Sequence, residues 1–214
     1  SSGSASITPF TSWAAVAPSS TVQLSGGSTQ YTYTSSTVIN NGQSIVGATV
    51  TVAENANNSP TSVTIQSAQG ASVSINTANG DTITTSSGGV LSGQSKDGKT
   101  QILGINYDYQ SFGVWNSGSG SGTVGAVTAG NATAAASIPT TGSATFTGKS
   151  LGVYGSSTGS GYFTVADMTA NVNFASRSIA FATTNTVNTD TFAKIPGLNL
   201  GGSFAYNPGS GQFS

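Results

Sequence analysis

"VADMTANVNFASRSIAFATT", Val165–Thr184, decides the fold class. Met168, Ala170, Val172 and Phe174 fall on one side of an extended chain. Asp167, Thr169, Asn171 and Asn173 fall on the other. A period of two belongs to a half-buried β-strand, not to a helix. Ala175-Ser176-Arg177 reads as a turn, after which Ile179 and Phe181 rejoin the apolar face. Upstream, "PTTGSATFTGKSLGVYG" (Pro139–Gly155) reads as a strand over Gly142–Lys149, with Val153 and Tyr154 in the next short strand. Downstream, Phe204 and Tyr206 begin another strand, "NPGSG" (207–211) turns it, and Gln212 starts one more. This region supplies roughly five strands, where small closed barrels need about eight.

Working toward the amino terminus, "AGNATAAASIPTTG" is poor in large apolar residues and is closed by Pro139, so the boundary is placed near residue 137. Three segments follow: 1–6, a flexible lead; 7–137, an N-terminal β-rich region; and 138–214, a barrel-like β region. Within 7–137 no apolar spacing of three and four supports a helix, and β-branched residues dominate. Strands are expected at Thr21–Leu24, ahead of Gly26-Gly27, at Gln30–Thr34, and at Ser44–Val52 after the turn "NNGQ". Ser62–Gln66 and Ala71–Thr85 follow, the latter read as a hairpin turning at Asn79-Gly80. "SKDGKT" is a second turn. Gln101–Tyr109 and Ser111–Asn116 read as an aromatic strand pair or one bent strand. "NSGSGSGTVG" reads as a linker or mobile loop.

Composition narrows the function classes. The chain has 214 residues and only 5% charged side chains, against about 25% in ordinary globular proteins. Ser, Thr, Asn and Gln must therefore carry solubility, as in exported, layer-forming or fibre-forming proteins, whose neutral surfaces do not repel one another. Net charge is −1 with no basic cluster, which argues against nucleic acid. His and Cys are both absent, which removes Ser-His-Asp and Cys-His catalysis, common zinc sites and His-ligated haem. No cofactor and no metal is expected. "NTANGD" (76–81) has oxygen atoms at alternate positions but lacks the acidic residues a calcium loop needs. No apolar run is long enough for a transmembrane helix, and no lipid anchor is expected at Ser1-Ser2-Gly3; removal of a signal peptide before Ser1 stays open.

Four quoted stretches carry a resemblance: "YDYQSFGVW", "GTVGAVTAG", "IPTTGSATFTGKSLGVY" and "TANVNFASRSIAFATT". Together they resemble the bacterial transferrin-binding protein B-like family, above all its short solute-binding members. The strongest part spans about 107–206; the Thr-Gly-x-Ala-Thr-aromatic-Thr-Gly strand followed by a Val-x-Phe strand is matched by Gly142–Gly148 and Val172–Phe174. The resemblance implies an N-terminal β-rich handle followed by an eight-stranded antiparallel barrel, export, and binding of a host protein or an iron-related ligand without catalysis. The family's closing strands, with an aromatic-Gly-Pro motif and a Gly-Gly-x-Phe strand, have no counterpart here. The barrel region is thus a fragment, an open sheet, or a sheet completed by another copy.

The expected fold is all-β, an N-terminal antiparallel region plus a barrel-like C-terminal sheet that is incomplete in this chain. Tyr107, Tyr109, Phe112 and Trp115 are the candidate ligand-binding residues, since Tyr and Trp are enriched at hot spots; packing between the two halves is the preferred reading of the same side chains. Trp13, after Pro9 and Phe10, is expected to plug the N-terminal end. The protein is read as an exported, non-enzymatic binding module, extracellular or on the outer cell surface. The competing reading is a structural subunit of an extracellular filament or surface layer, a homo-oligomer or polymer joined through β-strand edges.

Overall fold

The computed structural model describes residues 7–34, 37–39, 45–70, 72–155, 161–207 and 212–213, with backbone alone at 37–39 and 212–213. The expected lead at 1–6 and the turns at 40–43 and 208–211 lie outside the described residues. The described chain is all-β, with short 3₁₀ turns and no α-helix. It divides into two units, Ser1–Asn131 with Val153–Gly161, and Ala132–Gly152 with Tyr162–Ser214.

Eleven strands build the first sheet: β1 (Ile7–Pro9), β2 (Thr21–Thr34), β3 (Thr37–Ile39), β4 (Val46–Glu54), β5 (Pro60–Ser67), β6 (Ser72–Asn76), β7 (Thr82–Ser86), β8 (Val90–Gln94), β9 (Thr100–Tyr107), β10 (Gln110–Ser119) and β11 (Ser121–Gly130). The order is β6-β5-β4-β2-β11-β10-β9-β8-β7, antiparallel along this path; β3 pairs onto β2 antiparallel and β1 pairs onto it parallel. The two outer strands of that order, β6 and β7, are consecutive in the chain. Eight antiparallel steps separate them, so they run in the same sense and act as one strand bent at the 3₁₀ turn Thr77–Asn79. The sheet is thereby curled into a nearly closed barrel.

Asp81 clamps the seam. One carboxylate oxygen accepts the Asn76 N–H of β6 at 2.8 Å, and the other accepts the Lys96 N–H just after β8 at 2.9 Å. Both oxygens of the "NTANGD" carboxylate are thus engaged by backbone.

The interior follows the period of two. Val22 and Leu24 of β2, Val50 and Val52 of β4, Val63 and Ile65 of β5, and Ile75, Leu91, Ile102 and Val127 from the remaining strands form one buried cluster. At its centre Trp115 is fully buried. It pairs with Gly125 on β11, and a Cβ on that glycine would stand 2.1 Å from the indole Cζ2. Gly125 is bare because the ring occupies its side-chain space.

Three local expectations change in this sheet. Thr21–Leu24 and Gln30–Thr34 are one strand that runs through Gly26-Gly27. A Cβ on Gly26 would meet the Thr128 carbonyl oxygen at 1.9 Å, so this glycine permits close backbone approach instead of a turn. The segment 71–85 is not a hairpin: β6 pairs with β5 and β7 with β8. Turn chemistry signals a reversal of local direction but cannot specify strand partners. "NSGSGSGTVG" is no linker; it belongs to the tight β10–β11 hairpin, where Ser117 pairs with Thr123 and Ser119 with Ser121. The Tyr33 hydroxyl bonds Asn116 Oδ1 there at 3.0 Å.

The second sheet contains β12 (Ser143–Gly155), β13 (Gly161–Asn173), β14 (Ser178–Asn188), β15 (Gly201–Asn207) and β16 (Gln212–Phe213), in sequential order. Val153 and Tyr154 extend β12 instead of forming a separate strand. Val172 pairs with Ile179, Ala170 with Phe181, and Ile179 with Phe204, so the sequence-read apolar face is continuous. The Phe181 and Phe204 rings lie 5.8 Å apart. Near-closure therefore belongs to the N-terminal region, while the C-terminal sheet is open among the described residues. Among the described residues apolar burial there is sparse, with Ala166 and Val172 the buried apolar side chains. Hydroxyls contribute instead: Thr186 Oγ1 donates to Asn199 Oδ1 at 2.7 Å, and Thr183 Oγ1 accepts from Leu200 N at 2.7 Å.

On the polar face Asp167 accepts from Lys149 and, at 2.9 Å, from Asn185 Nδ2. Asn185 reaches it from a left-handed backbone position beside a register shift. The hydrogen bonds from Lys149 and Asn185, with the lysine's charge, hold the Asp167 carboxyl below its ordinary value of 3.8. A depressed folded-state value contributes stability above pH 3.8 that is lost as pH falls through the folded value. An Asp167→Asn variant is expected to lose that acid-side dependence, read from unfolding midpoints between neutral pH and the acid limit; an unchanged acid limb refutes it. In the barrel, Gly125→Ala is expected to cost about 1–3 kcal/mol through overpacking. The measurement is urea unfolding followed by tryptophan fluorescence, and a wild-type midpoint refutes the seating of Trp115 over Gly125.

Candidate functional site

β9 and β10 are joined at Asp108-Tyr109, with Tyr107 paired to Gln110 across the turn. The tip is fixed from two sides. Trp13 N donates to the Asp108 carbonyl at 2.8 Å, and Ala14 N donates to the Asp108 carboxylate at 3.2 Å. Asn131 N donates to the Tyr109 carbonyl at 2.9 Å, while its side-chain amide donates to the Thr11 carbonyl at 3.2 Å. A single-turn strap, Phe10–Val16, thus lies beside the hairpin and is bonded to it.

The strap is held by its own aromatics. The Phe10 and Trp13 rings stand 5.2 Å apart, and Phe10, Trp13 and Val16 pack on the barrel cluster. Trp13 Nε1 donates to Ser111 Oγ at 2.9 Å, so the indole is anchored at its polar end too. Trp13, expected from the sequence to plug the N-terminal end, packs on the cluster and is bonded to Ser111. The partners Asp108 and Ser111 were not legible there, because they lie 94 and 98 residues from the strap residues they bond.

The four aromatic candidates divide. Tyr107 is 42% exposed and Tyr109 61% exposed, at the tip. The Phe112 ring is half-buried and lies 5.8 Å from that of Tyr107. Trp115 stands three residues beyond Phe112 on the same strand, and hence on the opposite face, inside the barrel. Tyr107, Tyr109 and Phe112 belong to one aromatic tip; Trp115 belongs to the core.

Beneath Trp13 the barrel retains a cavity of about 50 Å³ bordered by Val52, Val63, Ile65, Leu91 and Ile102. Pockets for drug-sized ligands are about 300–1,000 Å³, so this space does not admit one. Among the described residues no group of three ligating side chains is placed to hold a metal. What the tip offers is two exposed phenols on a rigid, nearly uncharged support. Such side chains supply large amphipathic contact area at low entropic cost.

No family model, curated protein or solved structure matches this chain.

Replacing Asp108 by Ala removes a carboxylate acceptor and is expected to speed amide exchange at Ala14 severalfold, leaving β4 and β5 protected. Unchanged exchange at Ala14, measured by NMR, refutes the side-chain contribution to the clasp.

Proposed function

We propose that this chain is an exported, non-enzymatic β-protein that binds a macromolecular partner through the Tyr107–Phe112 tip. The observation that carries this reading is the pairing of exposure with fixation: Tyr107 and Tyr109 are exposed, yet their turn is bonded to the strap on one side and to Asn131 on the other. Rigid scaffolds presenting aromatic loops lose little entropy on binding. The filled barrel directs attention to outer surfaces over an internal ligand. The resemblance to transferrin-binding protein B-like proteins adds the partner class, a host protein or an iron-related ligand, and the extracellular location.

The test uses purified full chain against transferrin, in iron-loaded and iron-free forms, and against ferric citrate and haemin, by surface plasmon resonance. A Tyr107→Ser/Tyr109→Ser variant is expected to bind at least tenfold more weakly with its thermal unfolding unchanged. Equal affinity of variant and wild type sinks the tip as the site. Absence of wild-type binding to every probe sinks the partner class.

A second reading, a subunit of a filament or surface layer, is favoured by a different observation. β12 is thirteen residues long and has one strand neighbour, β13, among the described residues. A long strand at the end of a sheet order is a template for strand addition. Sedimentation velocity across a concentration series is expected to show growing assemblies on this reading, and a constant monomer refutes it.

A further inference from the structure

Among the described residues, two buried polar atoms on the barrel strands lack a hydrogen-bond partner: the Nε1–H of Trp115 and the Oε1 of Gln30. They belong to one row of the sheet. Trp115 pairs with Gly125, and Gly125 pairs in turn with Gln30 on β2. Residues paired across strands share a face. Trp115 is in the interior cluster, and Gln30 continues the inward alternation of Leu24 and Ser28, both buried. Gly125 between them contributes no side chain, so its space is taken by the indole's benzenoid edge.

The two atoms are chemically complementary. An indole N–H only donates, and an amide oxygen only accepts. They make no direct bond to each other, and neither reaches solvent. Native interiors rarely leave such groups unanswered, and an enclosed water is the usual answer where the surroundings are polar.

The surroundings are polar on one side. The next row toward the β10–β11 turn is Ser117, Thr123 and Thr32, and the Thr100 hydroxyl lies 3.3 Å from Ser117 Oγ. Two residues before Gln30 on β2, Ser28 Oγ donates to Ser67 Oγ at 2.9 Å. The orphaned pair thus sits where the lining changes from aliphatic to hydroxyl-bearing.

We propose that the barrel binds one internal water molecule between Trp115 and Gln30. It accepts from the indole N–H and donates to the Gln30 amide oxygen, with its second hydrogen available to the hydroxyl row. The water fixes the rotamer of Gln30 and couples β2 to β10 across the glycine of β11. This site is independent of the aromatic tip and of any partner bound there.

The test is made on the full chain. Water-selective NMR on ¹⁵N-tryptophan-labelled protein is expected to show a direct cross-peak between the Trp115 indole proton and a long-lived water. A crystal structure fine enough to show solvent is expected to place one water about 2.7–3.2 Å from both atoms. Gln30→Met removes the acceptor and is expected to lose or weaken the cross-peak while the backbone amide spectrum is kept. A direct Trp115–Gln30 bond, another protein acceptor for the indole, or a dry interior in the wild-type protein overturns the proposal. The wild-type measurements decide the matter even if the variant fails to fold.

Discussion

A tryptophan seated on a bare glycine sets how the first sheet can curl. Trp115 fills the middle of the barrel, and it does so only because Gly125 on the neighbouring strand leaves its side-chain space empty. Interiors pack at crystal-like density, so a ring of this size must displace something. Here it displaces a Cβ. The aliphatic side chains of β2, β4, β5 and β6 then close around the indole, with Phe10 and Trp13 packed against the same cluster. A chain with 5% charged residues and no cysteine has few other means of fixing a unique interior.

The two units solve the problem of sheet edges differently. In the first, the outermost strands are made from one bent segment, and a single aspartate ties the segment to the end of β8. Curling removes most of the exposed ladder. In the second, β12 to β16 pair in simple sequential order, and little apolar area is buried. Threonine hydroxyls and the Asn199 amide bond the 196–200 segment to β14. Among the described residues β12 and β16 stand at the two ends of that order.

A neutral surface constrains recognition as well. Without charge to steer encounters, affinity must come from shape and from amphipathic side chains. The hairpin tip meets that requirement through two tyrosines and a supporting ring. Its rigidity comes from the strap, whose tryptophan reaches both the tip's backbone and the hydroxyl of Ser111.

The sequence by itself determined the strands and their faces. The alternation at Met168, Ala170 and Val172 against Asp167, Thr169 and Asn171 is carried unchanged into the register with Ile179 and Phe181, because side-chain direction in a strand depends only on position parity. Parity also separates Phe112 from Trp115, a signal present in the sequence itself. Strand partners were decided by tertiary structure. Gly26-Gly27 looks like a stop and is a crossing point; Asn79-Gly80 looks like a hairpin and is a corner of the barrel. Pairing and close approach join residues tens of positions apart, and no local preference encodes which distant backbone will arrive.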